Sequence, residues 1–183
     1  MTIDTAENTD IRQRAVNLYR LAFLLTGRED ISVEIASDIT VSGDYASPLF
    51  GDWMRAWQRR LVIGKALAAI HAELADSARR TQLARLDGSA MPARKWSLNP
   101  DTSEAELEKA LLAIDLFPRV ALLLMIFEGI RLADAATLLS ADPALVRKAQ
   151  AIGLQELTRN LGGKESQAPK RLGFWLRTVA VCN

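Results

Sequence analysis

From Leu122 to Ala149 the chain reads L-L-L-M-I-F-E-G-I-R-L-A-D-A-A-T-L-L-S-A-D-P-A-L-V-R-K-A. An oily run stops at Glu128-Gly129, a short Ala-rich segment follows, and Ser140-Ala-Asp-Pro143 separates it from a segment carrying Arg147-Lys148. Gly just past an apolar run ends a helix, and Asp-Pro opens one. These signals fall every ten residues or so, too close together for a long helix. They restrict the stretch to three short helices joined by tight turns.

The remainder of the chain supports the same class. Its 183 residues fit one domain or two small ones. With 49% apolar and 25% charged residues it can build a core. Only 6% of residues are aromatic, Ala, Leu and Arg dominate, and no Val/Ile/Thr run alternates for long. That composition predicts an all-α protein. The polar, acidic start Met-Thr-Ile-Asp-Thr-Ala-Glu-Asn lacks the pattern of a signal peptide, and the oily run near Val120 to Phe127 is too short to span a bilayer. The single Cys182 permits no internal disulfide. Cytoplasmic residence and no membrane partner are the expectations.

Apolar spacing predicts a first helix over Ile11 to Thr26, capped by Thr9 or Asp10 and stopped by Gly27. A second runs from about Ile31 to Ile39. Ser42 to Pro48 reads as a loop. One long helix is expected over Leu49 to Leu86, with Trp53, Trp57, Leu61, Ile63, Leu67, Ile70 and Leu74 along one side. Residues 87–103 hold two Pro and a Gly without periodicity, which marks a linker. Ser103 and Glu106 form a capping box. Helices then follow at about Glu104–Ile114, Pro118–Glu128, Leu132–Leu139 and Pro143–Leu161. The expected division is thus a helical domain 1–86, a linker 87–103, a second helical domain 104–163 and a tail 164–183. In that tail, Phe174-Trp-Leu-Arg-Thr-Val has the look of a short amphipathic docking piece.

Catalytic chemistry leaves no trace. The one histidine, His71, sits in an Ala-rich helical run, as structural imidazoles do. No His/Cys/carboxylate spacing suits a metal, no glycine-rich loop opens a helix, and there is no Gly-x-Ser-x-Gly elbow. The acids Glu104, Glu106 and Glu108 fall in a helix's first turns, where the macrodipole favours them. The expectation is a non-enzyme with no cofactor.

The stretch from Leu132 onward meets the demands of a helix-turn-helix. The first helix is short, Ala136 is small where the two helices must meet, and Ser140-Ala141 stands at the turn, where Gly is commoner. Asp142 can cap the second helix and Pro143 can open it. Val146, Ala149, Gly153 and Leu157 make its inward face, while Arg147 and Lys148 project from the other side, within reach of phosphates or base edges. A plain αα-hairpin satisfies the same pattern, and the pattern alone leaves both open.

Residues Ala110 to Leu157 also resemble region 4 of bacterial RNA polymerase sigma factors of the extracytoplasmic-function class. The resemblance rests on Arg119, the apolar run to Phe127, Glu128-Gly129, Asp134, Ala136, Leu139 and Val146. The sequence departs from the family at Asp115, where the family has Pro, at Ser140, where it has Gly, and at Ile152-Gly153, where it has Arg-Ala. The N-terminal half resembles region 2 of the same class. Leu18 to Gly27 matches the opening helix, Ser32-Val-Glu-Ile-Ala-Ser-Asp38 an acidic segment, and Trp53-Met54 a Trp-Leu pair. Arg59-Arg60-Leu-Val-Ile63 lies where the promoter-melting helix runs, with Arg60 and Gly64 replacing the family's Asn and Asp.

The resemblance implies a transcription initiation protein that binds core RNA polymerase and promoter DNA, and the class admits an anti-sigma partner. Glu34 and Asp38 would meet the polymerase. Arg55, Arg59 and Arg60 would follow DNA phosphates, and Arg147, Lys148, Ala144 and Arg131 would face duplex DNA. Trp53 is expected in the core, and Trp57 is open between core packing and stacking on an unpaired base. The charge distribution agrees with this layout. Residues 1–54 carry four Arg against nine acids, residues 55–96 nine bases against three, 97–130 two against six, and 131–183 eight against four. A net charge of +1 therefore hides two basic blocks. Two rivals stand beside this reading. One is a sigma relative that regulates through protein contacts without reading DNA. The other is a helical adaptor.

Overall fold

The computed structural model describes residues 3–41, 51–85 and 101–162. Most of these residues are helical and there is no strand among them, so the described part of the fold is all-α. The described residues form eight α-helices in turn: α1 Ile3–Thr26, α2 Glu29–Val41, α3 Gly51–Ala69, α4 His71–Leu83, α5 Glu104–Leu112, α6 Leu116–Leu122, α7 Leu132–Leu138 and α8 Pro143–Gly162. A π-helical turn, Leu123–Phe127, extends α6. The expected loop Ser42 to Pro48, most of the expected linker and the tail with Phe174, Trp175, Leu176 and Cys182 lie outside the described residues.

The chain forms two compact units, residues 1–71 and 72–183. In the first, α1, α2 and α3 pack mutually. Leu18, Leu21, Ala22 and Leu25 of α1 meet Ile35, Ala36 and Ile39 of α2 and Val62, Ile63, Ala66 and Leu67 of α3 as the buried core. The spacing within each set is helical, and burying the stripe is what makes each helix stable. α1 begins well before Thr9 and Asp10, so neither caps it. It stops at Gly27, whose φ of 71° turns the chain left-handed. The Gly27 N–H donates to the Phe23 carbonyl at 2.7 Å, an αL cap. Thr26 Oγ1 is shared beneath this corner by the Arg28 N–H and Ser32 Oγ, each at 3.1 Å.

The second unit starts earlier than the sequence suggests. The expected long helix is interrupted at Ile70, and α4 belongs with the C-terminal helices. Its buried side chains are Leu74, Ser77 and Thr81, one face at i, i+3, i+7. Ser77 supplies the reason for the assignment. Fully buried, its hydroxyl donates to Asp115 Oδ2 at 2.9 Å and accepts from the Phe117 N–H at 2.7 Å. His71, the first residue of α4, is exposed rather than packed.

α5 opens with the expected capping box, Ser103 Oγ accepting from the Glu106 N–H and Glu106 accepting from the Ser103 N–H. α6 packs chiefly against α8, the two bringing together Phe117, Val120, Ala121, Leu122 and Val146, Ala149, Leu157. Gly153 is where they approach most closely. A Cβ built there would lie 2.6 Å from the Pro118 carbonyl oxygen and 3.2 Å from Leu122 Cβ. A side chain at this position would therefore meet the backbone of α6. The oily run ends through the π-helical turn, with Glu128 N–H bonded to the Leu123 carbonyl at 2.9 Å. Gly129 at φ 66° then reverses the chain.

Candidate nucleic-acid interface

α7 and α8 are joined by residues 139–142, and each link has a local cause. Ser140 takes φ 48°, the left-handed conformation at the position after the helix end. Its N–H bonds the Thr137 carbonyl, and the Ala141 N–H bonds the Ala136 carbonyl at 3.0 Å. That pair of bonds is a Schellman motif, whose left-handed residue is usually Gly. A non-glycine residue there carries about 1–2 kcal/mol of steric cost. The turn expected at Ser140 thus has a Gly-type geometry without the Gly. Asp142 caps α8, its carboxylate accepting the Ala144 N–H at 2.7 Å, and Pro143 occupies the first helical position.

α8 presents two faces. Val146, Ala149, Gly153 and Leu157 are buried, as the spacing predicts. Asp142, Pro143, Ala144 and Arg147 are exposed. Arg147 has no hydrogen-bond or ion-pair partner among the described residues. Lys148 differs. It is half-buried, and its Nζ donates to the Gln82 carbonyl at 2.7 Å. It thereby satisfies an orphan carbonyl at the end of α4 and opposes that helix's negative pole. Arg131 is exposed at the N-cap of α7 and pairs with Asp134 at 3.1 Å.

Behind α8, the α5–α6 corner is held by residues whose structural roles the sequence reading did not foresee. Asp115 caps α6 by accepting the Leu116 N–H at 2.9 Å, and it takes Arg80 through Nε and Nη2 at 3.2 and 2.8 Å. Burial works to raise the Asp115 pKa, but the bonds from Arg80, Ser77 and the Leu116 N–H outweigh it and hold the carboxyl below its usual range. The bond to Asp115 in turn raises the Arg80 guanidinium. Arg119, which the resemblance marked without assigning a role, is only 7% exposed. Its Nη1 donates to the carbonyls of Leu112 at 3.1 Å and Ile114 at 3.5 Å, closing the C-terminal end of α5. Burial pulls its pKa below the ordinary value, against the pull of Asp115. Asn160 ties α8 to the Ala110 carbonyl at 3.0 Å.

In the first unit, Trp53 is not a core residue. It is 61% exposed, and Trp57 is 38% exposed. The two indoles stand one turn apart, 12° from parallel with centroids 6.4 Å apart. Arg55 is exposed and paired with Asp52, Arg59 is half-buried, and Arg60 is exposed with no partner among the described residues. Cations thus outnumber acids around the indoles. Glu34 is exposed on α2. Asp38 pairs with Lys65 of α3 at 2.7 Å, so its carboxylate already has a cation.

No group of three or more His, Cys, Asp or Glu among the described residues could hold a metal ion. No helix among them is long and apolar enough to cross a membrane. No protein-family model, curated protein or solved structure matches the chain.

Proposed function

We propose that the chain is a sigma-factor-like transcription initiation protein that binds core RNA polymerase and promoter DNA. α7 and α8 are read as a helix-turn-helix with α8 as the recognition helix. The observation that carries the reading is Arg147, exposed and unpartnered among the described residues, next along α8 to its buried anchor Val146 and about 100° round the helix from it. A helix entering a major groove needs that division of faces, with a free cation near its N-terminal turns. The indoles of Trp53 and Trp57, flanked by Arg55, Arg59 and Arg60, suit a strand with unpaired bases in the first unit. Glu34 is the acid best placed to meet a basic polymerase surface, since Asp38 is engaged by Lys65.

The reading is tested by the salt dependence of binding to a duplex. Arg147→Ala is expected to flatten the slope of log K against log salt concentration by about one unit, the counterion release of one phosphate contact. An unchanged slope removes α8 from the interface.

One set of observations favours a second reading, a sigma relative that regulates through protein contacts alone. Lys148 is spent on Gln82, and Gly153 stands where the family carries a recognition-helix Ala after a basic residue. Failure of the wild-type chain to bind any duplex at low salt selects this second reading.

A further inference from the structure

The bond from Lys148 to Gln82 does more than consume a cation. It fixes the C-terminal end of α4 beside the N-terminal half of α8. Asp115 and Ser77 hold the same helix from the preceding turns, through Arg80 and the Phe117 N–H. α4 is therefore bolted at three successive points to the unit that carries α8. Three residues past Gln82 stands Arg85, exposed. Of the cations at this end of α4, Arg79 is paired with Asp76 and Arg80 with Asp115. Arg85 has no partner among the described residues.

We propose that the end of α4 is a second contact surface for the backbone of duplex nucleic acid, with Arg85 and Arg147 taking phosphates on either side of the Lys148–Gln82 joint. Charge argues for this occupant. The exposed guanidiniums next along the chain from the joint, Arg85 after Gln82 and Arg147 before Lys148, have no acid paired to them among the described residues. Asp142, the acid at the start of α8, has its carboxylate turned onto the Ala144 N–H of its own helix. The C-terminal pole of a helix ordinarily repels a phosphate. Here Lys148 covers that pole with a positive charge, so α4 can end against a polyanion. Lys148 thus acts as a positioning residue that brings Arg85 to the face already occupied by Arg147. Phosphate contacts of this kind fix register and orientation and carry no sequence preference. The proposal rests on the helix-turn-helix reading of α7 and α8 and extends the face by one helix.

The test is titration of the full chain with a mixed-sequence 24-base-pair duplex (length on the order of two helical turns) over a range of salt concentrations. Arg85→Ala and Arg147→Ala are each expected to flatten the log–log slope by about one unit, and the double variant by about two. Arg12→Ala, an exposed cation of α1, serves as the control and is expected to leave the slope unchanged. If Arg147→Ala flattens the slope and Arg85→Ala does not, the α4 surface is overturned while the recognition helix stands. If Arg12→Ala lowers the slope as much as Arg85→Ala, the effect is bulk charge and the inference fails. If the wild-type chain binds no duplex, both the inference and the reading beneath it fall.

Discussion

Gly153→Ala is expected to destabilise the second unit by about 2 kcal/mol, lowering its melting temperature by roughly 10 °C. The added methyl meets the Pro118 carbonyl oxygen at 2.6 Å and Leu122 Cβ at 3.2 Å. The carbonyl is backbone within α6, so it yields only by shifting that helix against α8. Interior packing is too dense to absorb such a shift without cost. Alanine's better helix propensity recovers about 1 kcal/mol, which is already included in the net figure. Gly64→Ala is the matching control. Gly64 also lies inside a helix, but nothing stands within 4 Å of a Cβ there. That substitution is expected to stabilise by about 0.5–1 kcal/mol. Thermal unfolding followed by circular dichroism distinguishes the two. A Gly153→Ala protein as stable as Gly64→Ala would show that α6 and α8 do not cross at this point.

Asp115→Ala is expected to cost about 2–3 kcal/mol, because one carboxylate serves three partners. Its loss uncaps α6, releases Arg80, and leaves the buried Ser77 hydroxyl without its acceptor. Asp115→Asn keeps a capping oxygen and should cost less. The pH dependence follows from the depressed carboxyl. Its pKa is lower folded than unfolded, so its stabilisation is complete above the unfolded value near 3.9 and disappears as pH falls through the folded value. The stability gap between wild type and Asp115→Ala should be level from about pH 7 to pH 5 and narrow below about pH 4. A gap that widens on acidification would contradict the assignment of Asp115 as a paired carboxylate.

How much of this was legible in the sequence depends on the scale of the interaction. The helices announced themselves because their signals are local. Ser103 and Glu106 cap across three residues, Gly27 and Gly129 break the chain where it must turn left-handed, and the inward face of α8 is a spacing rule. The division between the units was missed because it is decided by partners far apart in sequence. Ser77 and Arg80 sit on a helix whose apolar periodicity continues that of α3, and nothing in their spacing points to Asp115. Asp115 itself was the one available signal, since an acid at a helix start asks for a partner. Trp53 was misplaced for a related reason. One-turn spacing fixes that two indoles share a face, but not whether that face is turned inward. Lys148 is the opposite case. It shares the basic character of Arg147, yet its neighbour across the fold, the Gln82 carbonyl, gives it a different task.

The same distinction applies to the candidate site as a whole. Charge blocks located the two basic stretches, and the geometry then divided each into free and engaged cations. Among the described residues, Arg60, Arg85 and Arg147 have no partner, while Lys65, Arg79, Arg80, Arg131 and Lys148 are engaged. A surface recognised only by composition would count them all alike.

The central claim, that this chain works as a sigma factor does, is tested most directly by mixing it with bacterial core RNA polymerase and following sedimentation velocity. A stable one-to-one complex at micromolar concentration, dissolved by excess of an authentic sigma factor, is the predicted result. Two species sedimenting independently at that concentration would contradict it.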